Sequence, residues 1–407
     1  MRAASARQPV RLPRSRLDSV RVLGKFPCVI RRTRVEVDLG AIVDNARVVA
    51  RHVGTAVCAV VKADGYGHGA LAVAARLTRE RAVASLAVSL VEEGVALRDG
   101  GITPDMPILV MGPSHRGGEA EMIARQLTPV VSDPSEVEPL AAAARRAGAP
   151  VDLHLKVDTG MGRLGVAEDE AVQVALAAQA GGLRVAGLMT HFALADSESP
   201  DDPDAFTAEQ LRRFEAVCQR LAHAGVQVAV RHAANSSGAM MFPSARYDLV
   251  RCGIAIYGNG RWASEHALPA PRRPAMRLVA EIAQLRHVPR GHTVGYGRVW
   301  IAPRDSLVAV LPIGYADGLP RRATGQASVL IRGRRCPLVG AISMDIAIAD
   351  VTDLPGVATG DPALLFGRGD GGAITVAEYG AACGLTEYEV TCGMSKRVPR
   401  TYVEGLW

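Results

Sequence analysis

The chain has no run of 18 or more apolar residues, so no segment of it reads as a membrane-spanning helix. Its first arginines are not followed by the continuous apolar core of a signal peptide, so export is not predicted and the expected compartment is the cytoplasm. Cysteine is scarce and unpaired. The seven (Cys28, Cys58, Cys218, Cys252, Cys336, Cys383 and Cys392) are an odd number at scattered spacings. That excludes a disulfide framework and a cysteine zinc site, and it points to a reducing compartment. The glycine loop GYGHG (65–69) does not extend to the full G-x-G-x-x-G dinucleotide pattern. Acidic residues are nearly absent from residues 1–32, which hold nine Lys or Arg and one Asp for a net of +8; the chain's formal +6 therefore leaves −2 for the remaining 375. This arm has no aromatic interleaving and no partner motif, so a nucleic-acid module is not expected. It is read as a disordered extension or a mis-assigned start, although it is also Arg-rich and acid-poor like a transit peptide.

What is present is a long chain of short strands and helices. At 407 residues it is too long for one ordinary core, and two or three domains, or a barrel with a smaller domain, are expected. TRVEVDL (33–39) alternates as a strand, and AIVDNARVVARHV follows with apolar residues three and four apart. Eight apolar strand candidates succeed one another: 57–62, 83–89, 107–112, 128–131, 151–157, 184–191, 228–235 and 248–258. Helical segments such as LAVAARLTRER, EVEPLAAAARRAG and FTAEQLRRFEAVCQRLAHAG lie between them. Strand–helix alternation implies parallel strands, and eight units match a (β/α)8 TIM-type barrel of the α/β class, with an open doubly wound sheet as runner-up. After PAPRRP the segments MRLVAEIAQLRHV, DSLVAVLPIG, ASVLIRG and RCPLVGAI are strand-like, separated by Gly, Pro and Asp turns. The expected plan is an extension over 1–32, a strand at 33–42 joining a C-terminal mostly-β domain, a barrel over 43–270, and that domain over 271–407.

In a barrel the loops after the strands carry the chemistry. Lys62, Lys156 with Arg163, His191, His232 with Asn235, and Arg251 all fall at or just after strand ends, and so converge on one mouth. VVKADGYGHG (60–69) places a lysine where a strand leaves the core and then nearly strips the loop of side chains. Taken alone, Lys62 reads as a lysine that snorkels to water. The glycines read as a tight turn or as a backbone that approaches an anion.

The set VVKADGYGHG, LKVDTGMGRLG (155–165), THFALAD (190–196), HAANSSG (232–238), VRCGIAIYG (250–258), VGYGRVW (294–300), IGYADGLPRR (313–322) and ISMD (342–345) resembles the alanine racemase family over about residues 33–405. The resemblance implies a barrel carrying pyridoxal 5′-phosphate and an isomerase that inverts a small amino acid. Lys62 matches the lysine that binds the cofactor's aldehyde carbon, which requires a neutral amine. Tyr66, Ser236, Gly253 and Ile254 match phosphate contacts, with Asn235 beside them. His191 matches the histidine beside the cofactor ring, Arg251 the arginine facing its pyridine nitrogen, and His232 that arginine's partner. A guanidinium does not lose its proton, so it leaves that nitrogen largely unprotonated and favours quick return of a proton to Cα. Inversion needs a base on each face; Lys62 matches one and Tyr296 the other. In relatives Tyr296, Met344 and Asp345 reach the other subunit's barrel, which implies a homodimer with composite sites. Arg163 matches a substrate-carboxylate residue, and Lys156 a lysine often carbamylated beside it.

Two positions depart from the family pattern. Lys396, in CGMSKRVPR, stands where a tyrosine narrows the inner entrance, and Ala341 stands where an arginine lines the corridor near Tyr315. Serine or another small amino acid is therefore the near alternative to alanine. A decarboxylase on the same barrel is disfavoured by Arg251, because an acid is expected there, and a non-catalytic cofactor binder is disfavoured by the presence of Tyr296. No metal is expected.

Overall fold

The computed structural model describes residues 30–112 and 117–406. Residues 1–29 of the basic extension, with Cys28, lie outside the described residues. Strand β1 (Arg34–Asp38) leads directly into the helix Leu39–Val53. Asp38 makes the break, since its carboxylate accepts the Ala41 amide at 2.8 Å as an N-cap. The helix ends at Gly54, whose φ of +69° is the left-handed conformation glycine adopts at low cost.

Eight parallel strands follow: β2 (Ala56–Val60), β3 (Ser85–Val88), β4 (Ile108–Val110), β5 (Thr128–Val131), β6 (Val151–Lys156), β7 (Leu183–Met189), β8 (Val230–His232) and β9 (Leu249–Cys252). Neighbours pair in sequence order from β2 to β8, with β9 against β2. The ring is completed between β8 and β9 by Asp248 N–H to the Arg231 carbonyl at 3.1 Å and Arg251 N–H to the Ala234 carbonyl at 3.0 Å. Strands such as AVCAV and ILV are apolar end to end, as parallel strands covered on both faces require. The outer helices bury one stripe each; in Phe206–His223 it is Thr207, Gln210, Phe214, Val217 and Leu221, at alternating spacings of three and four. The eight-strand barrel expected from the sequence is thus present. The observed strands are shorter than the apolar runs that announced them: the run 248–258 stops being strand at Cys252, and 228–235 keeps only Val230–His232.

The second domain takes up the chain's first strand. β1 pairs antiparallel with β10 (Met276–Glu281) and parallel with the last strand, Arg400–Val403. MRLVAEIAQLRHV is not one strand: it breaks at Ile282–Ala283, and Gln284–Val288 enters a separate three-stranded sheet with Ser306–Leu311 and Ala347–Asp350. The domain also holds two helices, Val376–Cys383 and Glu387–Cys392, that the strand-like reading did not foresee. Among the described residues no helix is long and apolar enough to cross a membrane.

Candidate active site

The stretch after β2 explains its own composition. Ala63, Asp64, Gly65 and Tyr66 all have positive φ (52°, 53°, 63° and 53°), one left-handed turn directly after Lys62. Each of the three non-glycine residues costs about 1–2 kcal/mol in that conformation, so the turn must be held from outside. The Glu93 carboxylate accepts the Ala63 amide at 2.6 Å, Asp64 accepts the Ala70 amide at 2.9 Å, and the Tyr66 ring packs on Tyr257 with centroids 5.0 Å apart. The glycines beyond lie against the second domain. A Cβ at Gly67 would overlap the Thr391 carbonyl oxygen, and one at Gly69 would overlap the Tyr402 hydroxyl. Arg400 then ties the two parts together, donating to the Gly67 carbonyl at 3.0 Å and to the carbonyls of Met394, Ser395 and Val398 at 2.6–2.8 Å.

This turn forms one wall of a cavity of about 390 Å³ at the barrel mouth. Lys62, Tyr66, Arg163 and His191 line it, with Asn235, Ser236, Arg251, Gly253 and Ile254 opposite. The structure therefore brings together nine of the residues singled out from the sequence. Lys156 and His232 lie buried behind them.

Cations outnumber free carboxylates here. Arg251 is buried and has no carboxylate partner among the described residues; it donates to the carbonyls of Thr190 (2.7 Å), Ala233 (2.9 Å) and His232 (2.9 Å) and to His232 Nδ1 (3.1 Å), and it lies 3.3 Å from His191 Nδ1. Burial pushes its pKa down to about 10. Burial, reinforced by Arg251, holds His191 and His232 well below the usual histidine range, so both are neutral. Lys62 is lowered by burial and then by Arg163; Lys156 is lowered to about 8 by burial and then by Arg251 and Arg163. The nearby carboxylates are occupied, Glu93 by the amides of Ala63, Ser89 and Leu90, and Asp158 by those of Gly160 and Gly162.

The remaining residues from the sequence lie on the second domain and do not line this cavity. Tyr296 bridges to Ala341, the Tyr315 amide donates to the Ser343 carbonyl at 3.0 Å, and Asp345 pairs with Arg397 at 2.6 Å. Arg397 also reaches the buried Asp317, which Arg31 grips with both guanidinium nitrogens at 2.8 and 2.9 Å. Tyr296, Tyr315 and Met344 thus belong to one exposed patch, with Tyr296 72% exposed, and Lys396 adjoins Arg397 as an exposed side chain.

The family model described as "Alanine racemase, N-terminal domain" matches residues 37–260, and that described as "Alanine racemase, C-terminal domain" matches 275–402. The chain belongs to the alanine racemase family. It is 42% identical over 388 residues to an alanine racemase of Sorangium cellulosum, covering 92% of this chain and 100% of that one. It is 41% identical over 382 residues to that of Mycobacterium tuberculosis, covering 90% and 95%. Among solved structures, the alanine racemase of Streptomyces coelicolor matches with a TM-score of 0.84 at 36% identity, covering 92% of this chain and 98% of that one. That of Bacillus anthracis, solved with bound L-Ala-P, matches with a TM-score of 0.84 at 31% identity, covering 92% and 95%. The activity is accordingly that of an isomerase acting on alanine.

The sequence reading did not single out Tyr388 and Cys392, which line the cavity from the helix Glu387–Cys392, nor Met111. Thr386 and Glu389 have the S/T-x-x-E spacing of a capping box and form one, so this helix had a signal that was passed over. Glu93 and Gln210 were also missed. Gln210, fully buried, accepts from the Ala193 amide and donates to the His191 carbonyl, both at 3.0 Å, and so holds the backbone that carries His191.

Proposed function

We propose that this protein racemises alanine with pyridoxal 5′-phosphate held in the barrel-mouth cavity, using Lys62 and a Tyr296 from a second copy of the chain as opposing bases. The surplus of cations around the cavity, with Glu93 and Asp158 occupied by backbone amides, carries the reading: such a site suits a ligand bearing a phosphate dianion and a substrate bearing a carboxylate. The cavity's shape fits as well. A Cβ at Gly253 would overlap the Tyr66 hydroxyl, so backbone and phenol approach as closely as glycine allows. Tyr66, Asn235, Ser236, Gly253 and Ile254 would hold the phosphate, and Arg251 would face the pyridine nitrogen, with His191 beside the ring.

When bound, the cofactor withdraws electrons from the amino acid it carries and so acidifies Cα–H. The protein's own part is proton transfer and placement. Lys62, its amine made more readily neutral by burial, takes or returns the proton on one face of Cα. The phenol oxygen of Tyr296 does so on the other. Exposed on the second domain and absent from the lining of its own chain's cavity, Tyr296 needs a partner's barrel to act upon, which supports a homodimer with composite sites. Arg163 would hold the substrate carboxylate, and Met344 and Asp345 of that partner would border the substrate, the Asp345 carboxylate being engaged by Arg397. Lys156, lowered to about 8, has enough neutral amine to be carbamylated, which would supply an anion beside Arg163.

D-alanine for cell-wall peptidoglycan, made in the cytoplasm, is the product this reading assigns. Alanine heads the substrate series, and the short side chain of Ala341 and the exposed Lys396 favour serine as the second candidate. The test is a panel of L-amino acids incubated in deuterated water and resolved by chiral chromatography, with and without added pyridoxal 5′-phosphate. D-alanine deuterated at Cα is expected. No cofactor-dependent inversion of alanine would overturn the reading.

A further inference from the structure

The hydrogen bonds behind Arg251 do not end at His232. His154 lies on β6 and His232 on β8, two strands apart, yet His154 Nδ1 is 2.7 Å from His232 Nε2 and the rings meet edge to face at 70°. Gly187 lets them meet. On the intervening strand β7 it sits between His154 and Val230, and a Cβ there would lie 2.5 Å from Cγ and Nδ1 of the His154 ring. The β6–β7 ladder also shifts register between Leu153 and His154. Both histidines are buried.

The donors fix the tautomers. Arg251 Nη1, 3.1 Å from His232 Nδ1, can only donate, so that Nδ1 must present a lone pair. A neutral His232 then carries its proton on Nε2 and needs an acceptor, and His154 Nδ1 is the atom within reach. His154 in turn keeps its own proton on Nε2. Burial holds both rings neutral, His154 being pushed down to about 4. In the opposite tautomer of His232, an N–H would face the N–H of Arg251. With no carboxylate to grip it, the guanidinium is oriented by carbonyl and imidazole acceptors alone.

We propose that His154 is a positioning residue which, by accepting the Nε2–H of His232, fixes the tautomer that receives Arg251 and so aims the guanidinium at the cofactor ring. It lines no part of the cavity and acts through two neighbours. The inference rests on the placement of Arg251 proposed above.

The experiment is imidazole ¹H–¹⁵N correlation spectroscopy of the ¹⁵N-histidine-labelled protein, with and without pyridoxal 5′-phosphate, alongside racemisation kinetics. In the wild type, His232 and His154 should both be pure Nε2–H tautomers. His154→Leu should abolish the fixed state of His232 and lower kcat by about tenfold or more, with KM for alanine changed less than about threefold. His154→Asn, whose side-chain oxygen can accept near the same place, should restore both. Gly187→Ala, which alters neither histidine, should reproduce the His154→Leu result. An Nδ1–H form of His232 in the wild type overturns the proposal, as does a His154→Asn variant as impaired as Gly187→Ala; both hold even if His154→Leu does not fold. Failure of the racemase reading has a different signature: a wild type that does not invert alanine while its histidine spectrum is as stated.

Discussion

Acidification from pH 7 to 5 should weaken the fold by an amount that His68 makes calculable. This histidine lies in the GYGHG loop, fully buried and stacked on Tyr257 with ring centroids 4.4 Å apart. Its Nδ1 is 3.0 Å from the carbonyl oxygens of both Gly65 and Tyr66 and so donates to them, while Nε2 meets no partner among the described residues. Burial pushes its pKa from the usual 6.5 down to about 4. Between those values the unfolded chain binds a proton that the folded chain does not. Stability therefore falls as pH drops through 6.5, and the loss is complete below about pH 4. Integrating the difference from pH 7 to 5 gives about 1.8 kcal/mol from this one residue. His154, also lowered to about 4, adds in the same direction, as do His191 and His232. Because His68 underlies the left-handed turn after Lys62, the loss should appear as release of the cofactor as well as unfolding. Urea midpoints at pH 7, 6 and 5 would be compared between wild type and His68→Gln, whose amide can still donate to the two carbonyls. The variant should lose about 1.8 kcal/mol less than the wild type over this range. Equal losses in both proteins would refute the assignment of a buried, neutral His68.

Tyr296→Phe should keep the absorbance of the lysine-bound cofactor and lower racemisation by about 10²–10⁴-fold; undiminished inversion in both directions would remove Tyr296 from the mechanism. If sites are composite, inactive Lys62→Ala and inactive Tyr296→Phe chains, unfolded and refolded together, should regain about a quarter of wild-type activity, because half the dimers are mixed and each has one intact site. Gly67→Ala should weaken cofactor retention severely, since φ is +81° and the new methyl would overlap the Thr391 carbonyl; Gly54→Ala, at φ +69° with open space around it, should cost only about 1 kcal/mol in a melt. Lys396→Tyr should lower the ratio of kcat/KM for serine over alanine; an unchanged ratio would separate Lys396 from substrate choice.

The barrel was legible because its strands are short apolar runs with turn residues at both ends, and a fully buried parallel strand needs little more. The helix Glu387–Cys392 was not, because six residues are too few to display a periodicity, and its capping box was the available sign. Lys62, Arg163, His191, Asn235 and Arg251 were found one strand end at a time, which barrel topology brings together, whereas Tyr66, Ser236, Gly253 and Ile254 were legible only through the family resemblance. The positioning contacts were hidden for the opposite reason. His154 and His232 lie 78 residues apart, and Glu93 reaches Ala63 across 30. Nothing local marks either pair, and Gly187 reads as an unremarkable glycine until the ring that fills its place is seen.

One signal in the sequence was stronger than any of these. Of 47 basic residues only four are lysine: Lys25, Lys62, Lys156 and Lys396. Every ion pair among the described residues is made by arginine. A chain that uses arginine for its structural cations keeps a lysine where a guanidinium cannot serve, and what a guanidinium cannot do is become a neutral nucleophile or base near neutral pH. Lys62 and Lys156 are such places, since burial, and then the arginines beside them, drive both amines toward neutrality. The strained turn, the bare glycines and the clamp from Arg400 then act together, fixing one partly buried amine at the mouth of the barrel.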